Sequence, residues 1–157
     1  MSNGARVAAA DAFRHRDPSA YRRPATIRPV FELKTEAGRA PAWAEAVLQQ
    51  LTSISRLGPG WTGTPSAAMD PRLALKGVNE VLSEVMPHED TPAPQVVPCI
   101  DGGLQFEWHA AGWDIEVNMS PLGDVWVDVE SVDGETSWDG TFSDRREDLR
   151  IVLKSLH

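Results

Sequence analysis

The sequence predicts an α+β fold: two helices, a four-stranded antiparallel meander, and a C-terminal helix packed on one sheet face. Three observations predict it. Apolar residues recur at helical spacing from Trp43 to Leu57 and from Ala74 to Val85, the period drops to two between Leu104 and Val129, and helical spacing returns from Leu149 to Leu156. Helices set apart in sequence from a run of antiparallel strands give a sheet with helices on its apolar face.

The first 39 residues differ from the rest. They are rich in arginine (Arg6, Arg14, Arg16, Arg22, Arg23, Arg28), and Pro18, Pro24 and Pro29 interrupt any long helix. Residues 5–13 suit a short helix, and residues 26–34 suit a strand that Pro29 confines to an edge. Residues 1–39 are therefore read as an Arg-rich, partly ordered arm, and residues 40–157 as one α+β domain.

Pro41 suits a first helical turn, and Trp43, Val47, Leu51, Ile54 and Leu57 follow it on one face. Gly58-Pro59-Gly60 ends that helix at Leu57. Gly58 to Gly63 is glycine-rich but lacks the lysine and the preceding strand of a phosphate-binding loop, so it reads as a turn with Trp61 folded into the core. Asp70-Pro71 pairs an N-cap acceptor with proline at the first helical position. Ala74, Val78, Val81, Leu82 and Val85 line the second helix, which stops before Pro87. Residues 87–98 hold four prolines and read as an extended connector.

Leu104, Phe106 and Trp108 then alternate with Gln105 and Glu107. Trp113, Ile115, Val117 and Met119 alternate with Asp114, Glu116 and Asn118, and Val125, Val127 and Val129 alternate with Trp126, Asp128 and Glu130. This is the pattern of antiparallel strands with one buried and one wet face. A weaker strand covers residues 136–142, and Ser143 or Asp144 caps a helix carrying Leu149, Val152, Leu153 and Leu156.

Charge is the most informative functional feature. Residues 1–39 carry eight basic and four acidic side chains, whereas residues 40–157 carry seven and nineteen. Between residues 77 and 144 there is no lysine or arginine, against fifteen acids. An acidic chain is poorly suited to duplex DNA, where phosphate neutralisation supplies much of the affinity, so direct nucleic-acid contact is expected only through the arm. The single cysteine, Cys99, allows no internal disulfide. No apolar run reaches membrane-spanning length, no secretory leader is read in the opening residues, and a cytoplasmic location is expected.

Pairing Trp108 with Trp113 and Met119 with Val125 gives two wet-face rows: Glu107, Asp114 and Glu130, then Gln105, Glu116 and Asp128. Such a face is a hydrated solubility device, a docking surface for a basic partner, or a divalent-cation site. Trp126 falls on the same face beside Asn118, where it would serve as an interface anchor unless a shift of register, a bulge or the arm takes it out of solvent. The four histidines have no metal-ligand spacing with one another or with Cys99. His109 shares a strand face with Glu107, so a dyad is geometrically allowed, with no nucleophile placed beside it.

Gly60-Trp61-Thr62-Gly63, the following amphipathic helix, Pro94, Pro98 and the run from Asp101-Gly102-Gly103 to Glu107-Trp108 together resemble a family of small uncharacterised bacterial proteins. That family shows a Gly-Trp-Asp-Gly turn, a proline connector and an Asp-Gly-Gly-x-x-x-Glu-Trp strand. Thr62 departs from its usual aspartate. The resemblance implies a bacterial origin and helices followed by a meander, and it brings no activity.

The residues therefore point to a non-enzymatic protein-interaction module, inhibitor, antitoxin-like or immunity-like. It would bind a basic protein partner through Glu107, Asp114, Glu116, Trp126, Asp128 and Glu130. The alternative is a divalent-metal-binding protein or small metal-assisted hydrolase using the same carboxylates. No catalytic residue, metal-ligand set or cofactor is predicted.

Overall fold

Helix α1 (Ala42–Ile54) buries Trp43, Ala44, Val47, Leu51 and Ile54 along the predicted stripe. The computed structural model that shows it describes residues 40–86 and 90–156. The expectations for the arm, and those for His15, His88 and His157, lie outside the described residues. Pro41 stands at the N-cap with an extended backbone, one position before the first turn expected for it. The helix ends at Ile54, and residues 55–57 make a tight turn before the Gly58-Pro59-Gly60 break. Trp43 Nε1 donates to the Met86 carbonyl at 3.2 Å, tying the start of α1 to the end of the second helical run.

The loop that follows corrects one expectation: Trp61 is only half-buried and takes no part in the core. Gly60 and Gly63, at φ 77° and 80°, fold the loop back on itself, and Thr62, Thr64 and Ser66 hydrogen-bond within it. The indole is thereby carried on a turn that hydrogen-bonds within itself.

Asp70 caps the second run as predicted, accepting from the Arg72 N–H at 2.9 Å with Pro71 in the first turn. The run is not one uniform α-helix. It comprises α2 (Pro71–Lys76), a π-helical stretch (Gly77–Leu82) and α3 (Ser83–Val85). The widening starts at Gly77, which lies so close to the sheet that a Cβ there would come within 2.7 Å of Phe106 Cζ. Ser83 Oγ donates to the Val78 carbonyl at 2.7 Å inside the widened turn.

The sheet has five antiparallel strands in the order β1-β2-β3-β4-β5, one more than expected. They are β1 (Gln95–Pro98), β2 (Leu104–Ala110), β3 (Trp113–Met119), β4 (Val125–Ser131) and β5 (Ser137–Thr141). The additional strand, β1, comes from the proline connector. It pairs Val96 with Phe106 and Val97 with Gln105, and its proline is tolerated because the strand is at an edge. Helix α4 (Phe142–Lys154) follows β5 directly and is capped by Thr141, whose side chain accepts from the Asp144 N–H; the cap falls two residues before Ser143.

Most apolar strand positions share one face; Val97 and Trp126 fall on the other. Leu104, Phe106, Trp108, Ile115, Val117, Met119, Val127 and Val129 are buried with the stripes of α1, the second run and α4. Trp113 is half-buried and packs against this core. Trp108 Nε1 donates to the Pro92 carbonyl at 2.9 Å, so the buried indole is satisfied. The helices thus cover one face of the sheet, and among the described residues none packs on the other.

Candidate interaction face

The second hairpin has the predicted register: Met119 pairs with Val125, Glu116 with Asp128, and Asp114 with Glu130. The first does not. Trp108 pairs with Ile115 and Ala110 with Trp113, because the β2–β3 turn closes on two residues, Ala111 (φ 51°) and Gly112 (φ 80°). Positive φ at both central positions is the geometry that matches strand twist in a two-residue hairpin. The offset from expectation is two residues, so every side chain keeps its face and changes only its neighbours.

The rows change accordingly. Glu107 stands beside Glu116, Glu116 beside Asp128, and Asp128 beside Asp139, so four carboxylates cross β2 to β5 in one line. A second line runs His109, Asp114, Glu130, Ser137, and a third runs Gln105, Asn118, Trp126, Thr141. Glu107–Asp114 and Gln105–Glu116, the pairs expected from sequence, are replaced. The six predicted residues do share one face. Glu107 and Glu116 are half-buried, and Asp114, Trp126, Asp128 and Glu130 are exposed.

Sequence reasoning missed Asp139. Its strand, Ser137-Trp138-Asp139-Gly140-Thr141, alternates in step with β4, and extending the register by one strand places it at the end of the line. Ladder alternation makes Glu107–Glu116 and Asp128–Asp139 the non-hydrogen-bonded pairs, whose side chains approach most closely. Adjacent strands are about 4.8 Å apart, and like charges at that spacing oppose the fold by up to about 1 kcal/mol per pair even in water.

Among the described residues, no lysine or arginine lies on the strands to offset this. The arginines of α4 are engaged with helix carboxylates: Arg145 with Asp148, Arg146 with Glu84, and Arg150 with Glu147. Among the described residues, His109 is the one titratable base on the face. Its Nδ1 is 2.7 Å from Asp114 Oδ1 and its Nε2 is 3.3 Å from Glu107 Oε2. Hydrogen bonds to Asp114 and then Glu107 raise its pKa above the ordinary 6.5. The allowed His109–Glu107 dyad is thus a three-residue bridge joining the first two lines.

Trp126 is 45% exposed and shares its face with Asp124 and Asp128, two residues to either side. It also borders a cleft of about 910 Å³ at the hairpin end of the sheet, where Lys76, Glu80, Met119, Phe142 and Arg146 form other walls. Lys76 Nζ donates to the Gly123 carbonyl at 2.6 Å there, and Arg146 is paired with Glu84. Cys99, which lines the cleft with Asp101, is half-buried, and burial, then Asp101 and Glu107, push its thiol pKa up. A raised pKa keeps it in the poorly nucleophilic thiol form. Among the described residues, no group of three or more His, Cys, Asp or Glu is arranged to hold a metal ion. No helix among them is long and apolar enough to cross a membrane.

Compared with known proteins, the chain matches no family model, no curated protein and no solved structure.

Proposed function

We propose that this protein is a non-enzymatic interaction module that binds a basic protein surface through the wet face of its sheet, in the manner of an inhibitor, antitoxin or immunity protein. One observation carries this reading: the unbroken line Glu107–Glu116–Asp128–Asp139, which opposes the fold and, among the described residues, has no lysine or arginine within the sheet to relieve it. A uniform negative field of this kind speeds encounter with a basic surface and rejects acidic ones. Trp126 supplies the apolar anchor in the midst of the charge, because aromatic side chains dominate interface energetics.

The test uses an arginine-rich protein such as protamine as the probe, with binding to the full chain measured by calorimetry at low and moderate salt. Reversal of the central pair, Glu116→Lys with Asp128→Lys, is expected to weaken binding at least about tenfold. A charge-matched control, Glu45→Lys with Glu80→Lys, lies on helices and leaves the Glu84–Arg146 pair intact. Equal losses in the two reversals would reduce the effect to net charge, and binding that survives the sheet reversal would sink the proposal.

A further inference from the structure

The two edges of the sheet are closed to very different degrees. On β1, the Val96 N–H points outward and donates to Gln50 Oε1 at 2.8 Å, while Gln50 Nε2 donates to the Pro94 carbonyl at 3.0 Å. One glutamine of α1 thus occupies both a donor and an acceptor of that edge, and Pro98 has no N–H to offer. This edge is sealed against a further strand.

On β5 the hydrogen-bonded partners of β4 are Trp138 and Gly140, as the Ser131 N–H to Thr136 carbonyl bond and strict alternation require. The main-chain groups of Ser137, Asp139 and Thr141 therefore face away from the sheet. Among the described residues, one side chain meets them: Arg145 Nε donates to the Asp139 carbonyl at 3.1 Å. The guanidinium lies 5.5 Å over the Trp138 ring and pairs with Asp148, and its stem passes so near Gly140 that a Cβ there would fall 2.9 Å from Arg145 Cγ. The side chain is nonetheless 40% exposed.

The line of four carboxylates ends on this edge, at Asp139. We propose that the outer edge of β5 is a strand-addition site for an extended, basic segment of the partner, with Arg145 as the latch that holds it closed. Main-chain bonds to Ser137, Asp139 and the Thr141 N–H supply affinity, the Thr141 carbonyl being taken by the first turn of α4, and the lysine or arginine that falls opposite Asp139 supplies selectivity. Charge selects this occupant over a second copy of the chain. Two β5 edges meeting antiparallel about Asp139 would lengthen the acidic line, whereas a basic strand ends it with a counter-charge. The proposal rests on the reading of the wet face as a docking surface and specifies how the partner lies on it.

Three ten-residue peptides of alternating lysine and threonine test it against the full chain: one unmodified, one N-methylated at every lysine, and one N-methylated at every threonine. In an antiparallel added strand the lysines share the wet face with Asp139, so lysine N–H groups point at β5 and threonine N–H groups point away. The unmodified and threonine-methylated peptides are expected to bind alike and to slow amide exchange at Ser137, Asp139 and Thr141 by about tenfold or more. The lysine-methylated peptide, with the same charge, is expected to bind at least about tenfold more weakly. Arg145→Ala should tighten the unmodified peptide by about three- to tenfold. Equal binding of all three peptides without amide protection would overturn strand addition and leave docking on the face intact. Failure of all three to bind would overturn both readings, and an Arg145→Ala protein that binds no tighter would remove the latch.

Discussion

His109 Nδ1 lies 2.7 Å from Asp114 Oδ1, directly across the β2–β3 hairpin, while Nε2 is 3.3 Å from Glu107 Oε2. Both contacts favour the imidazolium, and the Asp114 bond is the larger cause of the raised pKa. NMR titration is expected to place His109 above 6.5, with Asp114→Asn lowering it more than Glu107→Gln. A raised folded-state pKa means the protonated form stabilises the fold. Relative to His109→Ala, the gain should be complete below about pH 6.5, the unfolded value, and vanish as pH rises through the folded one. A His109 pKa at or below 6.5 would show that the bridge does not form.

Ile115 is fully buried beneath the helices and pairs with Trp108 and Val129. Ile115→Ala should destabilise the protein by roughly 2–5 kcal/mol in chemical denaturation, as truncation of a large buried aliphatic does. A loss below about 0.5 kcal/mol would be that of a surface site and would mean that β3 presents the opposite face to the core.

Gly77 offers a test in which the sign decides. At an exposed helix position, glycine to alanine stabilises by about 1 kcal/mol. At Gly77 the new methyl meets Phe106 Cζ at 2.7 Å and Met119 Sδ at 3.1 Å in a filled core. Overpacking of this kind typically costs about 1–3 kcal/mol, so Gly77→Ala should lower the unfolding midpoint. A rise would mean that Phe106 moves aside freely.

The helices and the three long strands were legible because their periodicities are long and uninterrupted. The sides of the sheet were legible for the same reason, and Glu116, Trp126, Asp128 and Glu130 fall beside the neighbours expected across the β3–β4 hairpin. The first hairpin was not, because its register depends on where the turn closes. Ala111 at positive φ is a choice that residue type does not announce. β1 was hidden by length and by proline: four residues give no period, and Val96 is its only fully buried side chain. The π-helical stretch left no trace either, since Val78, Val81, Leu82 and Val85 are spaced as on an ordinary helix. Asp139 and Arg145 required the whole sheet, because an edge is defined by what lies beside it.

Gln50 links α1 to the β1 edge through two hydrogen bonds, to Val96 N–H and the Pro94 carbonyl. Gln50→Ala leaves both main-chain groups without a partner in a partly buried setting, which should cost about 1–3 kcal/mol. It also opens a strand edge, so the variant should aggregate faster than wild type in thioflavin-monitored incubation below its melting temperature. Gln50→Glu keeps the acceptor for Val96 and loses the donor to Pro94, and should fall between the two. A Gln50→Ala protein as stable and as soluble as wild type would show that solvent replaces the clamp.

Glu116 has a carboxylate on either side, Glu107 on β2 and Asp128 on β4. Glu116→Lys turns two repulsive neighbours into attractive ones without touching the buried face, and should stabilise the protein by up to about 1 kcal/mol at low ionic strength. The gain should shrink as salt is added, because screening relieves the same repulsion in wild type. Divalent ions separate this from the metal alternative. If the carboxylates only repel, calcium, magnesium and manganese at about 1 mM should raise the melting temperature no more than sodium chloride of equal ionic strength. A site that held one of these ions would raise it specifically, in proportion to the logarithm of ion concentration over affinity. An ion-specific rise that Glu116→Lys abolishes would replace docking with metal binding as the role of the acidic line.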